Sequence, residues 1–276
     1  MRPKILLVIF AAICVLSVGF FTTDAFSDSK IVIKGSTTVL PITQKAIEAF
    51  AKVRKDISIS VDGSGSGNGI KALLDGTTDI ANSSRSMKDK ELDKAKEKGI
   101  KIKEITCAYD MIVPITHPSN PVKNLTLDQL KGIYDGSITN WKQVGGADQN
   151  IVLISRDTSS GTYEYWNEHV MKKGDVTPKA QLQASNGAIV TTVAGNPKAI
   201  GYIGFGYESN TIKVIDVNGV KATIQNGKSG KYPISRKLFM YVNENAYSPA
   251  ARAFVQFILS PQGQKLVREA DYIPLR

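Results

Sequence analysis

Ile57-Ser58-Ile59-Ser60-Val61-Asp62-Gly63-Ser64-Gly65-Ser66-Gly67-Asn68-Gly69-Ile70 is the stretch from which the fold can be read. Ile57, Ile59 and Val61 alternate with polar residues, the period of a half-buried strand. The run then breaks into glycine and serine, and Ile70, Leu73 and Leu74 resume at helical spacing until Gly76 stops them. A strand that ends in small hydroxyl residues where a helix begins leaves unpaired backbone N–H groups and partial positive charge at one point. Glycine lets a ligand approach that backbone closely.

The same punctuation recurs at Gly35-Ser36-Thr37-Thr38 after Ile31-Val32-Ile33, at Asn82-Ser83-Ser84-Arg85 after Asp79-Ile80-Ala81, and at Arg156-Asp157-Thr158-Ser159-Ser160-Gly161-Thr162 after Ile151–Ile154. One such end is a weak anion site. Four that converge, with Arg85 and Arg156 among them, would cage a compact anion with several oxygens. Between the clusters the chain alternates strands and helices, which predicts an α/β fold. Helices are expected over about 39–54, 88–98, 127–134 and 162–171, and a buried strand over Cys107–Ile115. A glycine-aromatic strand follows at Ile200–Tyr207, then a helical stripe through Ala250, Ala253, Phe254, Phe257 and Ile258. Ser260-Pro261 opens a last helix in the favoured cap-then-proline order.

Arg2 and Lys4 precede an apolar run from Ile5 to Phe21, and Thr23-Asp24-Ala25 offers a small-residue cleavage site. Residues 1–25 therefore read as a signal peptide, ahead of a permanent anchor or a lipid-modified Cys14, and predict export into a bacterial periplasm. The chain so released carries 33 basic and 24 acidic residues, a net charge of +9. That balance suits nucleic acid, an anionic membrane or small anionic ligands. No long Lys/Arg block or basic-aromatic interleaving supports a nucleic-acid partner. Cys107 alone is left after cleavage, so an internal disulfide is excluded and an apolar core must hold the fold.

Lys34–Pro41, Gly63–Gly69, Asp79–Met87 and Ser155–Thr162 together resemble the phosphate-binding proteins of bacterial phosphate ABC transporters. The likeness continues through Leu130–Trp141, Ala199–Tyr207 and Ser260-Pro261-Gln262-Gly263. The resemblance implies a two-lobed type II periplasmic binding fold with a ligand cleft between the lobes. Lobe 1 would be residues 26–107 and 208–276, lobe 2 residues 108–207, with crossovers near Cys107–Asp110 and Tyr202–Tyr207. It implies a monomer whose partners are inorganic phosphate and a membrane permease, with no cofactor. By motif the ligand residues would be Ser36, Thr37, Thr38, Ser66, Gly67, Ser84, Arg85, Arg156, Ser160, Gly161 and Thr162, and Asp157 would brace the Arg156 fork.

One position departs from the better-known branch of that family, where a carboxylate after the third strand accepts the ligand's proton. Ser84, followed by Arg85, stands there, which resembles a second branch with a Ser-Arg pair. A hydroxyl both donates and accepts, so it discriminates less by charge. Asp79 reads as a loop brace and Asp62 as a weaker acceptor. The competing readings are a binding protein for sulfate or molybdate, a secreted phosphatase, and a sensor or adhesion role without transport. Against catalysis, His117 and His169 are the only histidines, no metal-ligand spacing occurs, and Ser160 lacks the G-x-S-x-G context.

Overall fold

The computed structural model describes residues 29–276; the signal-peptide reading lies outside them. In chain order the first half holds β1 (Ser29–Gly35), α1 (Leu40–Phe50), β2 (Ile57–Asp62), α2 (Ser66–Leu74), β3 (Ile80–Ser83), α3 (Asp89–Glu97), β4 (Ile102–Thr116), β5 (Asn124–Leu125) and α4 (Leu127–Asp135). Then come β6 (Val152–Arg156), α5 (Gly161–His169), β7 (Gln181–Gln183), α6 (Asn186–Ala194), β8 (Ala199–Gly204), β9 (Lys213–Val214) and β10 (Asp216–Val217). The chain ends with α7 (Ile224–Lys228), β11 (Ser235–Asn243), α8 (Pro249–Leu259) and α9 (Pro261–Glu269).

The main sheet runs β2-β1-β3-β11-β4-β8-β6-β7. β1 pairs in parallel with β2 on one side and β3 on the other. The connections after β1 therefore leave in opposite directions, and this switch point opens a crevice at the strands' carboxyl ends, where Ser36, Gly63 and Ser84 follow. Alternate residues of β11 face opposite layers. Leu238, Met240 and Val242 bury under α1, α8 and α9, while Phe239 and Tyr241 bury under α2 and α3. The α1 stripe ends at Phe50, which packs on Phe254 and Phe257. Val53, within the helix expected over about 39–54, is 64% exposed, because the helix has already given way to a turn at Ala51.

The lobes are joined through β4. From Ile102 to Met111 it pairs with β11, and from Ile112 to Thr116 with β8. Ile212, Ile215, Val217, Tyr232 and Ile234 share one core with Ile112, Ile154, Trp166 and Tyr202, whereas Leu238 belongs to the other. Residues 208–234, expected in lobe 1, pack with lobe 2, and the chain returns at the start of β11. The physical reason is that β9 adds to the far half of β4 and β10 pairs with β5, which keeps this segment on the second core.

Candidate functional site

Strand ends and helix starts converge between the lobes, though not the four that the sequence suggests. Gly65, at φ +107°, precedes α2, and Ser160 caps α5 by accepting from the Tyr163 N–H at 3.2 Å. The Ser36 hydroxyl accepts from the Thr38 and Val39 N–H groups at 3.1 and 3.4 Å, turning the chain into α1. After β3, by contrast, Ser84 to Lys88 intervene before α3, so that cluster supplies side chains and no helix end. The fourth helix start is α6, capped by Ser185. The stretch Gln183-Ala184-Ser185-Asn186-Gly187 carries the same strand-to-helix punctuation, and that is the sequence signal for this fourth start.

Lobe 1 brings Thr37, Thr38, Ser66 and Ser84; lobe 2 brings Arg156, Gly161, Thr162 and Asn186, and all of these are buried. Arg156 Nη1 donates to Thr37 Oγ1 at 3.3 Å, and Asn186 Nδ2 donates to Thr37 and Thr38 Oγ1 at 2.9 and 3.2 Å. Asn186 is held in that sense by Gly204, whose N–H donates to Oδ1 at 3.1 Å. Thr38 and Thr162 hydroxyls meet across the lobes at 3.1 Å, and Ser66 and Ser84 hydroxyls meet at 3.3 Å. The Gly67 N–H is committed to Ser159 O at 2.9 Å, also across the lobes.

The hydrogen-bond arithmetic of this cluster is one-sided. A hydroxyl has two acceptor sites and one proton. Thr37 Oγ1 accepts from two groups that cannot accept in return, so its proton is left for a further acceptor. Thr38 Oγ1 accepts from Asn186 and, at 3.4 Å, from Arg236 Nη2. If it donates to Thr162, then Thr162 has the proton to give. The cluster is an array of donors. Its complement is a compact ion that accepts on every side.

Arg156 completes that demand. It is 1% exposed, and its fork is fixed by Gln183 O at 3.0 Å and Ala184 O at 2.9 Å. Tyr202, stacked on Trp166 at 4.2 Å, orders the end of β6 through the Ser155 hydroxyl and the Arg156 N–H. Asp157 stands 3.7 Å from Arg156 Nη2 and is partly exposed; its tighter bonds go to Ser159 N–H and hydroxyl. Burial pulls the Arg156 guanidinium below its ordinary pKa, with Asp157 opposing and Arg236 adding to the fall. A buried cation with so loose a counter-ion is stabilised by a bound anion.

Arg85 is placed differently from Arg156. Nη1 and Nη2 form a fork on Glu91 at 2.8 Å each, Nη1 also reaches Ser86 O, and Nε pairs with Glu164 of the other lobe. Lys88 joins Glu164 at 2.8 Å. Burial disfavours the charge of Arg85, but the Glu91 bond and the two carboxylates outweigh it and raise its pKa. Nη2 stands 3.9 Å from where a Cβ on Gly67 would be, so Arg85 closes the rim of the cluster. Asp79 accepts from the Val32 N–H at 2.7 Å and braces β1. Asp62 is exposed.

Two further buried charges have no place in the sequence reading. Asp110 and Arg236 pair at 2.7 Å with fully buried side chains. The signal for Asp110 is a lone carboxylate inside the apolar run Cys107–Ile115; Arg236 sits in an ordinary strand pattern and offers none. His169 stacks on Tyr165 at 3.8 Å and its Nδ1 lies 3.0 Å from Tyr165 O, so it is turned to its own helix and not to Ser160. Among the described residues no group of three His, Cys, Asp or Glu could hold a metal ion.

The profile of the PBP superfamily domain matches residues 22–262. A phosphate-binding protein PstS of Staphylococcus epidermidis is 38% identical over 256 residues, 87% of this chain and 77% of that protein. The chain belongs to the PstS family. Protein SphX of Synechococcus elongatus is 36% identical over 257 residues, again 87% of this chain, and 76% of that protein. Among solved structures, a putative phosphate ABC transporter substrate-binding protein from Clostridium perfringens, with phosphate bound, superposes with a TM-score of 0.84 at 38% identity. It covers 90% of this chain and 100% of its own. An ABC-type phosphate transport receptor from Vibrio cholerae gives 0.73 at 33% identity, covering 88% of this chain and 99% of that one. These likenesses bear out the two-lobed periplasmic binding fold.

Proposed function

We propose that this protein captures inorganic phosphate between its lobes and delivers it to the permease of an ABC transporter. The observation that carries the reading is the donor-rich cluster closed around Arg156 from both lobes, in a chain of this family. Thr37, Thr38, Ser66, Ser84 and Thr162 supply hydroxyls, Gly161 supplies close backbone approach, and Arg156 supplies the charge-assisted fork. Ser36 and Ser160 turn the backbone into the cluster, and each keeps a hydroxyl proton to give. Calorimetric titration of the phosphate-stripped protein at pH 7 tests the reading. Saturable binding of phosphate alone is the expected result; tight sulfate or molybdate binding in its place would move the function to another oxyanion.

The protein acts after export, with residues 1–25 removed, as a monomer. Among the described residues no helix is long and apolar enough to cross a membrane. Binding without turnover is the whole chemistry of the proposal, and release of phosphate from a phosphoester would count against it.

The rim ion pairs give this closure a charge component. Glu164 reaches Arg85 and Lys88 only when the lobes meet. Glu164→Gln is expected to speed phosphate release on the order of tenfold, near the low end of couplings measured for close charge pairs. Stopped-flow release at low and high salt checks this: salt should narrow the difference between variant and parent. Equal release rates at low salt would show that the pairs contribute nothing to closure.

A further inference from the structure

The anion site contains more buried charge than its motif accounts for. Asp110 and Arg236 are direct partners in the β4–β11 register, one residue before β4 leaves β11 for β8. Arg236 Nε and Nη2 both donate to Asp110 Oδ2, at 2.9 and 2.7 Å, and the Phe205 N–H donates to Oδ1 at 3.0 Å. The pair is not remote from the ligand cluster. Arg236 Nη2 reaches Thr38 Oγ1 at 3.4 Å and Nη1 reaches Ser84 O at 3.3 Å. A Cβ added to Gly204 would stand 2.7 Å from Thr38 Cγ2 and 3.0 Å from Asp110 Oδ2. Aspartate, arginine and threonine thus meet around a single glycine.

The charges can be counted. At the rim Arg85 and Lys88 are balanced by Glu91 and Glu164. Around the hydroxyl cluster there remain Arg156, Arg236 and Asp110, two cations and one anion, with Asp157 looser and partly exposed. The other titratable groups facing the pair are Tyr165, Tyr232 and Tyr272, whose hydroxyls burial pushes up and keeps neutral near pH 7. Within the cage the net charge is close to +1.

We propose that Asp110 is a specificity-determining residue, which through Arg236 limits the positive charge of the cage and so favours an oxyanion with one negative charge over one with two. The inference rests on the anion-binding reading above. Coulomb attraction scales with the product of the charges, so each unit of cage charge counts twice as much for a dianion as for a monoanion. The desolvation that a dianion must also suffer is larger still. Asp110 subtracts one unit of charge at a fixed, dry place. It does this without touching the ion, so no motif at the ligand needs to contain a carboxylate.

The test compares sulfate, a dianion throughout, with phosphate just below its second ionisation, low enough to hold it mainly as a monoanion and no lower, because burial raises the Asp110 carboxyl against the pull of Arg236. Calorimetry on the parent, on Asp110→Asn and on Asp110→Asn with Arg236→Gln supplies the ratio of the two affinities. The single variant raises the cage charge by one unit, and its sulfate-to-phosphate ratio is expected to rise on the order of tenfold. The double variant restores the charge, and its ratio is expected to return to within about threefold of the parent's. A purely structural role would lower the melting temperature of either variant and leave both ratios alone. Should Asp110→Asn not fold, Asp110→Asn with Arg236→Lys carries the same charge change on a more adaptable side chain. A folded variant with the parent's ratio, or a double variant as shifted as the single one, overturns the proposal. A parent that binds neither ion would refute the anion-binding reading itself.

Discussion

Arg156→Ala is expected to abolish tight phosphate binding while leaving the fold in place. The guanidinium is the buried positive charge of the cluster without a close carboxylate, and its fork is set by two backbone carbonyls, not by the ligand. Removing it deletes a charge-assisted contact and leaves the bound ion facing hydroxyls alone. Truncating one partner of a buried charge pair costs about 3–5 kcal/mol, or roughly a hundred- to several-thousandfold in Kd. The ligand-free variant loses a desolvated cation but also the bonds to Gln183 O and Ala184 O, so each protein is compared with its own ligand-free melt. The two effects separate in a thermal melt. Phosphate at a hundred times the parent's Kd stabilises the parent by about 2.7 kcal/mol and should stabilise the variant by about 0.4 kcal/mol or less. Arg156→Lys keeps the charge but not the fork and should recover only part of the affinity. Retention of parental Kd by Arg156→Ala would remove Arg156 from the site.

Gly161→Ala is expected to obstruct closure instead of contact. A Cβ at Gly161 would stand 2.4 Å from Ser66 Oγ and 2.8 Å from both Ser66 Cβ and Ser84 Oγ. Those atoms belong to the opposite lobe, so the clash arises only as the lobes meet. Overpacking of this kind costs about 1–3 kcal/mol, which lowers affinity roughly five- to a hundredfold. The open form should be unharmed, since alanine is the better helix former at the start of α5. Small-angle scattering should then show a weaker contraction on adding phosphate. Gly187→Ala is the matched control. Its Cβ would meet nothing closer than Ser185 Oγ at 3.9 Å, so its Kd should stay within about twofold of the parent's. Full contraction and full affinity in Gly161→Ala would show that the lobes do not close on this glycine.

Much of this molecule is legible in one dimension, because the signals involved are local. Alternation in Ile57–Val61, the helical period within 39–54 and the Ser260-Pro261 cap each report a geometry within a few residues. The hydroxyl and glycine clusters are local too, since a strand end, a turn and a helix start adjoin in the chain. Thr37, Thr38, Ser66, Ser84, Arg156, Gly161 and Thr162 could therefore be named from it. What escaped is whatever depends on a partner far along the chain. Asn186 enters the cluster through contacts with Thr37 and Thr38 almost 150 positions away, and Arg236 through Asp110, 126 positions away.

Arg85 shows the division within a single residue. Its neighbours Ser83 and Ser84 mark it as a member of a hydroxyl cluster, yet its fork is taken by Glu91 and Glu164. A guanidinium goes to the carboxylates that the fold brings nearest, and Glu164 is near only because α5 comes across from the other lobe. The segment 208–234 repeats the lesson at the scale of a lobe: its residues fit either core by composition, and strand pairing to β4 and β5 settles which. By itself the sequence determined the alternating elements and the donor-rich loops, because local backbone geometry and side-chain periodicity are written in adjacent residues. Tertiary structure alone decided which charges stand together, because Coulomb energy and desolvation depend on distance in space and are blind to separation along the chain.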